Sequence, residues 1–277
     1  MNLIGVMQGR LLPKYKGRYQ AHPKNNWQDE FFIAKELDLD LIEFIFDYDD
    51  FSQNPLFSES GVNSVKKIIK ESKVYVKTVC ADFFMDFPLH SNDVYKQKDA
   101  IQVLKTLVDK VSILGVTDII IPCVDKSSLK KPIDLKNFKN SILEILNDLE
   151  KKKINLSLET DFNPKKFRNF LDQFQSEYIK VNYDIGNSAS LGYDFKEEMK
   201  LYGNKISDIH IKDRELNGGP VLLGNGNADF EGVFKCLKHI KYKGPFIMQA
   251  YRDDDGLEIF KRQFRWIKKK LSLSYDY

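Results

Sequence analysis

The stretch from residue 155 to residue 213 reads NLSLETDFNPKKFRNFLDQFQSEYIKVNYDIGNSASLGYDFKEEMKLYGNKISDIHIKD. Three short runs rich in apolar residues alternate here with two segments of helical spacing. The runs are Asn155–Glu159, Ile179–Asp184 and Ile206–His210, and the segments are Pro164–Gln173 and Phe195–Leu201. Such runs suit strands that are buried on both faces of a parallel sheet, and the segments between them suit crossover helices. The stretch therefore predicts two consecutive βαβ units.

The same alternation extends over the whole chain, and it gives eight apolar runs that are each followed by a helical stretch. The other predicted strands are Leu3–Met7, Leu41–Phe46, Val74–Val79, Asp118–Pro122 and Phe246–Gln249. The other predicted helices are Trp27–Glu36, Val62–Glu71, Asp93–Leu114, Leu135–Lys152, Phe230–His239 and Leu257–Leu271. Because no linker rich in Pro, Gly and Ser divides these units, we predict an α/β fold, a single-domain (β/α)8 TIM barrel over residues 1–277. The GxGxxG fingerprint of an open doubly wound sheet is missing after the first strand.

The composition is that of an ordinary globular protein and argues against several other classes. Of the 277 residues 42% are hydrophobic and 30% charged, and 43 basic against 40 acidic side chains give a formal net charge of +3. The lysines lie on predicted helix faces, which favours solvated helix ends over nucleic-acid binding. The sequence shows neither a signal peptide nor a stretch approaching the ~18 apolar residues of a membrane span. Three cysteines without a CxxC motif indicate reduced thiols, so we expect a cytoplasmic protein with no nucleic-acid or membrane partner.

Four successive predicted strands end on side chains that bind metals. These residues are Glu159, Asp184, His210 and Gln249. Active sites of TIM barrels lie at the C-terminal ends of the strands, and side chains two residues apart on a strand point to the same side. We therefore expect the four groups to meet at one point. Taken singly, each has a plainer interpretation: Glu159 as a helix cap, Asp184 as a turn residue and His210 as a buried barrel histidine.

Two carboxylates, one imidazole and one amide oxygen form a mostly hard set of ligands. Such a set favours Mn²⁺, Mg²⁺ or Co²⁺ in an open site, with Zn²⁺ also compatible, over a structural zinc site. The predicted cofactor is therefore a divalent metal ion.

Several segments carry a resemblance to a known family. They are SLET with Glu159, NYDIGN with Asp184, HIKDR at His210–Arg214 and LLGNGNADFEGVF at Leu222–Phe234. The sequence resembles the xylose-isomerase-like TIM-barrel family over essentially its whole length. The similarity is to the sugar phosphate isomerase/epimerase branch, which also includes ketose 3-epimerases and, distantly, endonuclease IV. It implies a metal-dependent isomerase or epimerase that acts on a sugar or sugar phosphate.

By this resemblance the metal ligands are Glu159, Asp184, His210 and the strand-eight position, which is normally Glu and is Gln249 here. A second departure is Asn187, which stands where the sixth-strand motif Asp-x-x-His usually has histidine. A +2 ion with two carboxylates gives a site of net charge zero, whereas a Glu at position 249 would make it −1. By charge alone, Gln249 therefore attracts the ion less strongly than Glu would.

The implied chemistry is proton abstraction next to a carbonyl, and the resulting enediolate is stabilised by the metal. Epimerisation requires a base on one face of the reacting carbon and an acid on the other. Glutamine cannot serve as either, because its amide does not exchange a proton as a carboxyl group does. Three outcomes stay open. Glu159 acts alone in a same-face aldose–ketose transfer, or a second group such as Glu43, Lys212 or Asp213 supplies the other proton, or the chain binds a sugar without turning it over.

Further candidates come from the same resemblance and from side-chain parity. The segments VMQGRL with Arg10 and DLIEFIF with Glu43 also resemble members of the family. Lys212 shares the parity of the strand-seven histidine, so we include it with Glu43 among the catalytic candidates. Arg10 and Arg214 lie beyond strand ends, where a guanidinium can hold a phosphate in bidentate fashion. Together with Asn187 they are the predicted substrate-binding residues.

Two other function classes compete with the isomerase or epimerase hypothesis. One is a metal-assisted lyase, dehydratase or hydrolase on the same barrel, and the other is a catalytically silent sugar-binding homologue. DNA-repair endonuclease chemistry is disfavoured, because a trinuclear zinc cluster needs many histidines and the chain has four. A homo-oligomer is compatible with the sequence, since barrels of this kind often pair through helices or rim loops.

Overall fold

The computed structural model describes residues 2–274, and within them eight parallel strands close into a barrel. The barrel strands are β1 (Ile4–Met7), β2 (Leu41–Ile45), β3 (Thr78–Cys80), β4 (Asp118–Cys123), β5 (Asn155–Thr160), β6 (Ile179–Asp184), β7 (Ile206–Ile211) and β10 (Phe246–Met248). The first strand closes the barrel, because β1 pairs with β2 on one side and with β10 on the other. A two-stranded antiparallel ribbon, β8 (Asp213–Arg214) and β9 (Pro220–Val221), follows β7. The predicted α/β fold, a (β/α)8 TIM barrel, is confirmed.

Helices cover the outside of the barrel in the predicted order. They are α1 (Trp27–Glu36), α2 (Glu59–Ser72), α4 (Val94–Ser112), α5 (Pro132–Lys152), α6 (Pro164–Leu171), α8 (Phe195–Tyr202), α9 (Phe230–His239) and α10 (Leu257–Ser274). Two short helices that the sequence pattern did not predict, α3 (Phe83–Asp86) and α7 (Ile185–Ser190), lie in the loops after β3 and β6. Gly115, shortly after α4, has a φ of +73°, in the left-handed region that favours glycine after a helix.

The third strand begins later than predicted. Its regular part starts at Thr78, whereas the apolar run begins at Val74. The first residues of the run are paired less regularly: Tyr75 forms an isolated bridge with Leu41 and donates its N–H to the carbonyl of Asp40. An apolar run thus located the strand correctly but could not show where the regular ladder begins.

The barrel interior has an apolar part and a polar part. The apolar part is a cluster of six buried side chains: Met7, Leu41, Ile45, Cys80, Ile120 and Ile247. Gly5 belongs to this layer, because a Cβ at this position would lie 2.7 Å from Cβ of Leu41. The polar part lies between β4 and β7, where Ser157 donates to Asp118 at 3.0 Å and Asn182 donates to Asp208 at 3.0 Å. The interior is therefore a filled core whose polar groups are largely hydrogen-bonded to one another.

Most of the hydrophobic core lies between the strands and the helices. On α4 the buried side chains recur three or four residues apart, as in Leu104, Leu107, Val108 and Val111. This stripe buries one face of α4 in the hydrophobic core, as an amphipathic helix does. Among the helices of residues 2–274, none is both long and apolar enough to cross a lipid bilayer.

We expect Leu104→Ala to lower the free energy of unfolding by about 2–5 kcal/mol, because Leu104 is fully buried and its truncation leaves a cavity. Urea unfolding followed by circular dichroism measures the change. Lys98→Ala on the exposed face of the same helix is the control and should stay within about 0.5 kcal/mol of the parent. Equal losses in both variants would contradict the described packing of α4.

Candidate active site

The site is built around His210, which is fully buried near the end of β7. Its Nε2 lies 2.8 Å from Oε1 of Glu43 on β2 and 3.5 Å from Oδ2 of Asp208. Its other ring nitrogen, Nδ1, has no hydrogen-bond partner although it is buried. A carboxylate on one imidazole nitrogen holds the ring in place and leaves the second nitrogen available as a ligand.

Two further carboxylates lie on the mouth side of this histidine. One ligand atom each from Glu159, Asp184 and His210 lie within 4.8 Å of one another, and all three residues are buried. The same distance limit also unites His210 with Glu43 and Asp208. The imidazole therefore links two pairs of carboxyl groups. Glu43 and Asp208 form the deeper pair, and Glu159 and Asp184 form the pair at the mouth of the barrel.

At both levels of the site, burial shifts a glutamic acid toward its protonated form. The pKa of Glu159 is raised to about 7, because burial and the nearby charge of Asp184 raise it by more than His210 and Lys212 lower it. Burial also raises the pKa of Glu43 to about 7. A group with a pKa near 7 can both accept and return a proton at neutral pH.

Lys212 connects Gln249, the strand-eight candidate, to Asp184. Its Nζ donates to Oδ2 of Asp184 at 3.2 Å and to Oε1 of Gln249 at 3.3 Å. Gln249, one residue beyond β10, thus presents its amide oxygen beside the Asp184 carboxylate. Gly186 makes room for this arrangement, because a Cβ there would lie 2.9 Å from Cγ of Lys212.

Asn187 and Arg214 support the Glu159 carboxylate. The Asn187 amide nitrogen donates to Oε1 of Glu159 at 2.6 Å, and its amide oxygen accepts from Nη1 of Arg214 at 2.8 Å. Because a guanidinium only donates, the Asn187 oxygen must face Arg214 and the NH₂ group must face Glu159. The Asn187 backbone N–H caps the Asp184 carboxylate at 2.8 Å.

Two other candidates, Arg10 and Asp213, are buried and bound to protein groups. Arg10 is buried, and its guanidinium donates to the carbonyls of Ala250 and Tyr19 and to Oε1 of Gln20. Burial lowers the pKa of Arg10 to about 10. Asp213 is fully buried, and its carboxylate accepts three backbone N–H groups from the loop after β9, those of Gly224, Gly226 and Ala228.

Sequence reasoning missed Gln20, which lies in the long loop between β1 and α1. Gln20 contacts Gln249, Arg10 and Asp82 through its side-chain amide. A glutamine in a loop has no periodicity and no strand end to indicate its role, so only the three-dimensional contacts could reveal it.

Comparisons with known proteins indicate the enzyme class. The chain is 25% identical to the "Putative L-ribulose-5-phosphate 3-epimerase SgbU" of Haemophilus influenzae, over 94% of this chain and 98% of the relative. It is 22% identical to the L-ribulose-5-phosphate 3-epimerase UlaE of Escherichia coli O1:K1, over 89% of this chain and 90% of the relative. These relatives confirm the predicted enzyme class, isomerase or epimerase.

Solved structures support the fold. The structure of an L-ribulose 3-epimerase superposes with a TM-score of 0.77 at 15% identity and covers 99% of this chain and 96% of its own. The family model described as a xylose isomerase-like TIM barrel matches residues 31–270. The chain therefore belongs to the xylose isomerase-like TIM-barrel family.

Proposed function

We propose that this protein is a divalent-metal-dependent 3-epimerase of a ketose or ketose phosphate. The observation that carries the proposal is the convergence of Glu159, Asp184 and His210 within 4.8 Å, with Lys212 beside them. The names of the relatives support a substrate of the L-ribulose 5-phosphate kind. The metal, the substrate and the roles of the residues are parts of this proposal.

The residues fit a divalent metal ion. The fit rests on two observations. Ligand atoms of Glu159, Asp184 and His210 lie within 4.8 Å of one another, and the buried Nδ1 of His210 has no hydrogen-bond partner. Glu159, Asp184, His210 and the amide oxygen of Gln249 would hold Mn²⁺, Mg²⁺ or Co²⁺, all of which accept oxygen and imidazole ligands. The ion would act as a Lewis acid that stabilises negative charge on the substrate oxygens.

Glu159 is the proposed base. It takes the proton from C3 of the ketose, next to the C2 carbonyl, and the C3–H electron pair moves into an enediolate. Its pKa of about 7 gives it a useful fraction of carboxylate at neutral pH. The amide of Asn187, itself held by Arg214, keeps one carboxylate oxygen in place.

Lys212 is the proposed acid on the opposite face. Of the other two candidates, Glu43 is fully buried behind His210, and Asp213 is occupied by three backbone N–H groups. The Lys212 ammonium lies at the mouth, between Asp184 and Gln249, and gives a proton to C3 as the enediolate collapses. Solvent then takes the proton from Glu159 and returns one to Lys212.

Asn187 and Arg214 lie beside the proposed base, so we keep both as substrate-contacting residues. The donors of Arg10 are directed at protein acceptors, one of which is Oε1 of Gln20. The proposed role of Arg10 is therefore to support the substrate site through Gln20.

A sugar-binding protein without turnover is the second candidate function. The observation in its favour is Gln249, which cannot carry a proton where the family pattern has glutamate. The two candidates differ in whether the C3 proton of a bound ketose exchanges with solvent.

We expect Mn²⁺ to bind in isothermal titration calorimetry, with an affinity that falls about tenfold per pH unit below about pH 7. The sign follows from the raised pKa of Glu159: below about pH 7 the metal must displace its proton, and above it the carboxylate is free. Loss of a group that only supports a metal ligand typically weakens metal binding by about 10–100-fold. Glu159 is itself a proposed ligand, so Glu159→Gln should weaken Mn²⁺ binding at pH 8 by more than that. Glu144→Gln, at an exposed position of α5, is the matched control. Absent or pH-independent binding would argue against the site.

We expect L-ribulose 5-phosphate incubated with protein and Mn²⁺ in D₂O to lose its C3–H signal in NMR spectra and to form the 3-epimer. Lys212→Met should abolish the epimer and retain C3 exchange, because Glu159 still removes and returns a proton on its own face. Glu159→Gln should abolish both, whereas Lys200→Met on the exposed face of α8 should abolish neither. Unphosphorylated L-ribulose, run in parallel, shows whether the phosphate is required.

Two results would count against the epimerase in this experiment. Products that form without deuterium at C3 would favour lyase or hydrolase chemistry. Binding of the ketose without any exchange in the parent protein would favour the silent sugar-binding homologue.

A further inference from the structure

We propose that Gln20 is a positioning residue that fixes the amide of Gln249 with its oxygen toward the metal site. The inference rests on the proposed metal site and goes beyond it, because it assigns a role to a loop residue outside the four strand ends. Gln249 Nε2 lies 3.1 Å from Oε1 of Gln20, and Gln249 Oε1 lies 3.3 Å from Nζ of Lys212.

The direction of both amides follows from the groups at the two ends of this chain of hydrogen bonds. Arg10 lies at one end and Lys212 at the other, and both side chains only donate. The atom of Gln20 that lies 3.0 Å from Nη2 of Arg10 must therefore be its oxygen. That oxygen requires a donor from Gln249, so the Gln249 NH₂ group faces Gln20 and its oxygen faces Lys212.

The amide nitrogen of Gln20 is held in the same orientation by a second contact. Its Nε2 donates to Oδ2 of Asp82 at 2.8 Å, so a flipped Gln20 would place an oxygen against a carboxylate. Arg10 cannot adjust either, because its Nε and Nη1 bind the carbonyls of Ala250 and Tyr19 and its side chain stacks on the Tyr19 ring. Gln20 thus presents a fixed acceptor to position 249.

A fixed acceptor suits glutamine at position 249 and opposes glutamate. In the Gln249→Glu variant, one carboxylate oxygen would lie about where the Gln249 NH₂ group now lies, against Oε1 of Gln20. The two oxygens would repel, and Gln20 could not turn without losing its bonds to Arg10 and Asp82. The negative charge of a glutamate at position 249 should strengthen metal binding, but its repulsion from the Gln20 oxygen offsets this gain. The full gain in metal affinity is therefore expected only when the Gln20 oxygen is removed.

A double-mutant cycle in the full-length protein tests this coupling, with the dissociation constant of Mn²⁺ from calorimetry as readout. Gln20→Met keeps the length of the side chain and removes the acceptor, so it should weaken Mn²⁺ binding about tenfold. The factor by which Gln249→Glu lowers the dissociation constant of Mn²⁺ should be at least about fivefold larger in the Gln20→Met background than in the parent protein. Thermal unfolding confirms that each variant is folded, and Gln20→Asn, which withdraws the oxygen, replaces Gln20→Met if that variant is unstable.

Gln97→Met is the matched control. Gln97 is a half-buried glutamine of α4 that also makes side-chain hydrogen bonds, with Leu89, Asn137 and Ser141. A purely structural role of Gln20 predicts that Gln249→Glu changes the affinity by the same factor in all backgrounds, and that result would overturn the inference. Failure of the parent protein to bind Mn²⁺ would instead overturn the proposed function, and the inference with it.

Discussion

Carboxylates that are buried together need protons or cations beside them, and the mouth of the barrel is arranged around this requirement. Glu43 and Asp208 lie fully buried at Nε2 of His210, and burial raises the pKa of both. Burial therefore shifts the deeper pair toward its protonated form. Nearer the surface, Glu159 has the ammonium of Lys212 close by, which lowers its pKa against the effect of burial. One imidazole contacts both levels, so its tautomer depends on the deeper pair.

The fold could be predicted from the sequence because its signals are local. Apolar runs and helical spacing located all eight barrel strands, and Gly115 marked the end of α4. What local signals could not supply was the start of the regular ladder in β3, since pairing at Tyr75 depends on Asp40 and Leu41 of the neighbouring chain segment. The short helix α7 was likewise missed, because its NSAS residues have no apolar periodicity.

The site was only partly predictable, for a related reason. Parity along β5, β6 and β7 is a property of each strand, so it correctly indicated that Glu159, Asp184 and His210 point to one place. Glu43 was a candidate through the resemblance of its segment to the family, and its place on β2 could not tell a mouth position from a position behind the histidine. Depth along the barrel axis depends on the stagger between strands, which no single strand encodes. The contacts of Gln20 depend on how a loop folds back.

The neutral side chain at position 249 changes the charge of the mouth as a whole. With the proposed divalent ion, the charges of Glu159, Asp184 and Lys212 leave the mouth with a formal charge of +1, whereas a glutamate at 249 would make it neutral. A positive mouth stabilises the negative charge that develops on an enediolate, and it attracts an anionic substrate such as a sugar phosphate. The same field weakens Glu159 as a base, and burial opposes that effect by raising its pKa. Gln249 is therefore compatible with turnover, provided that the second proton comes from a group other than residue 249.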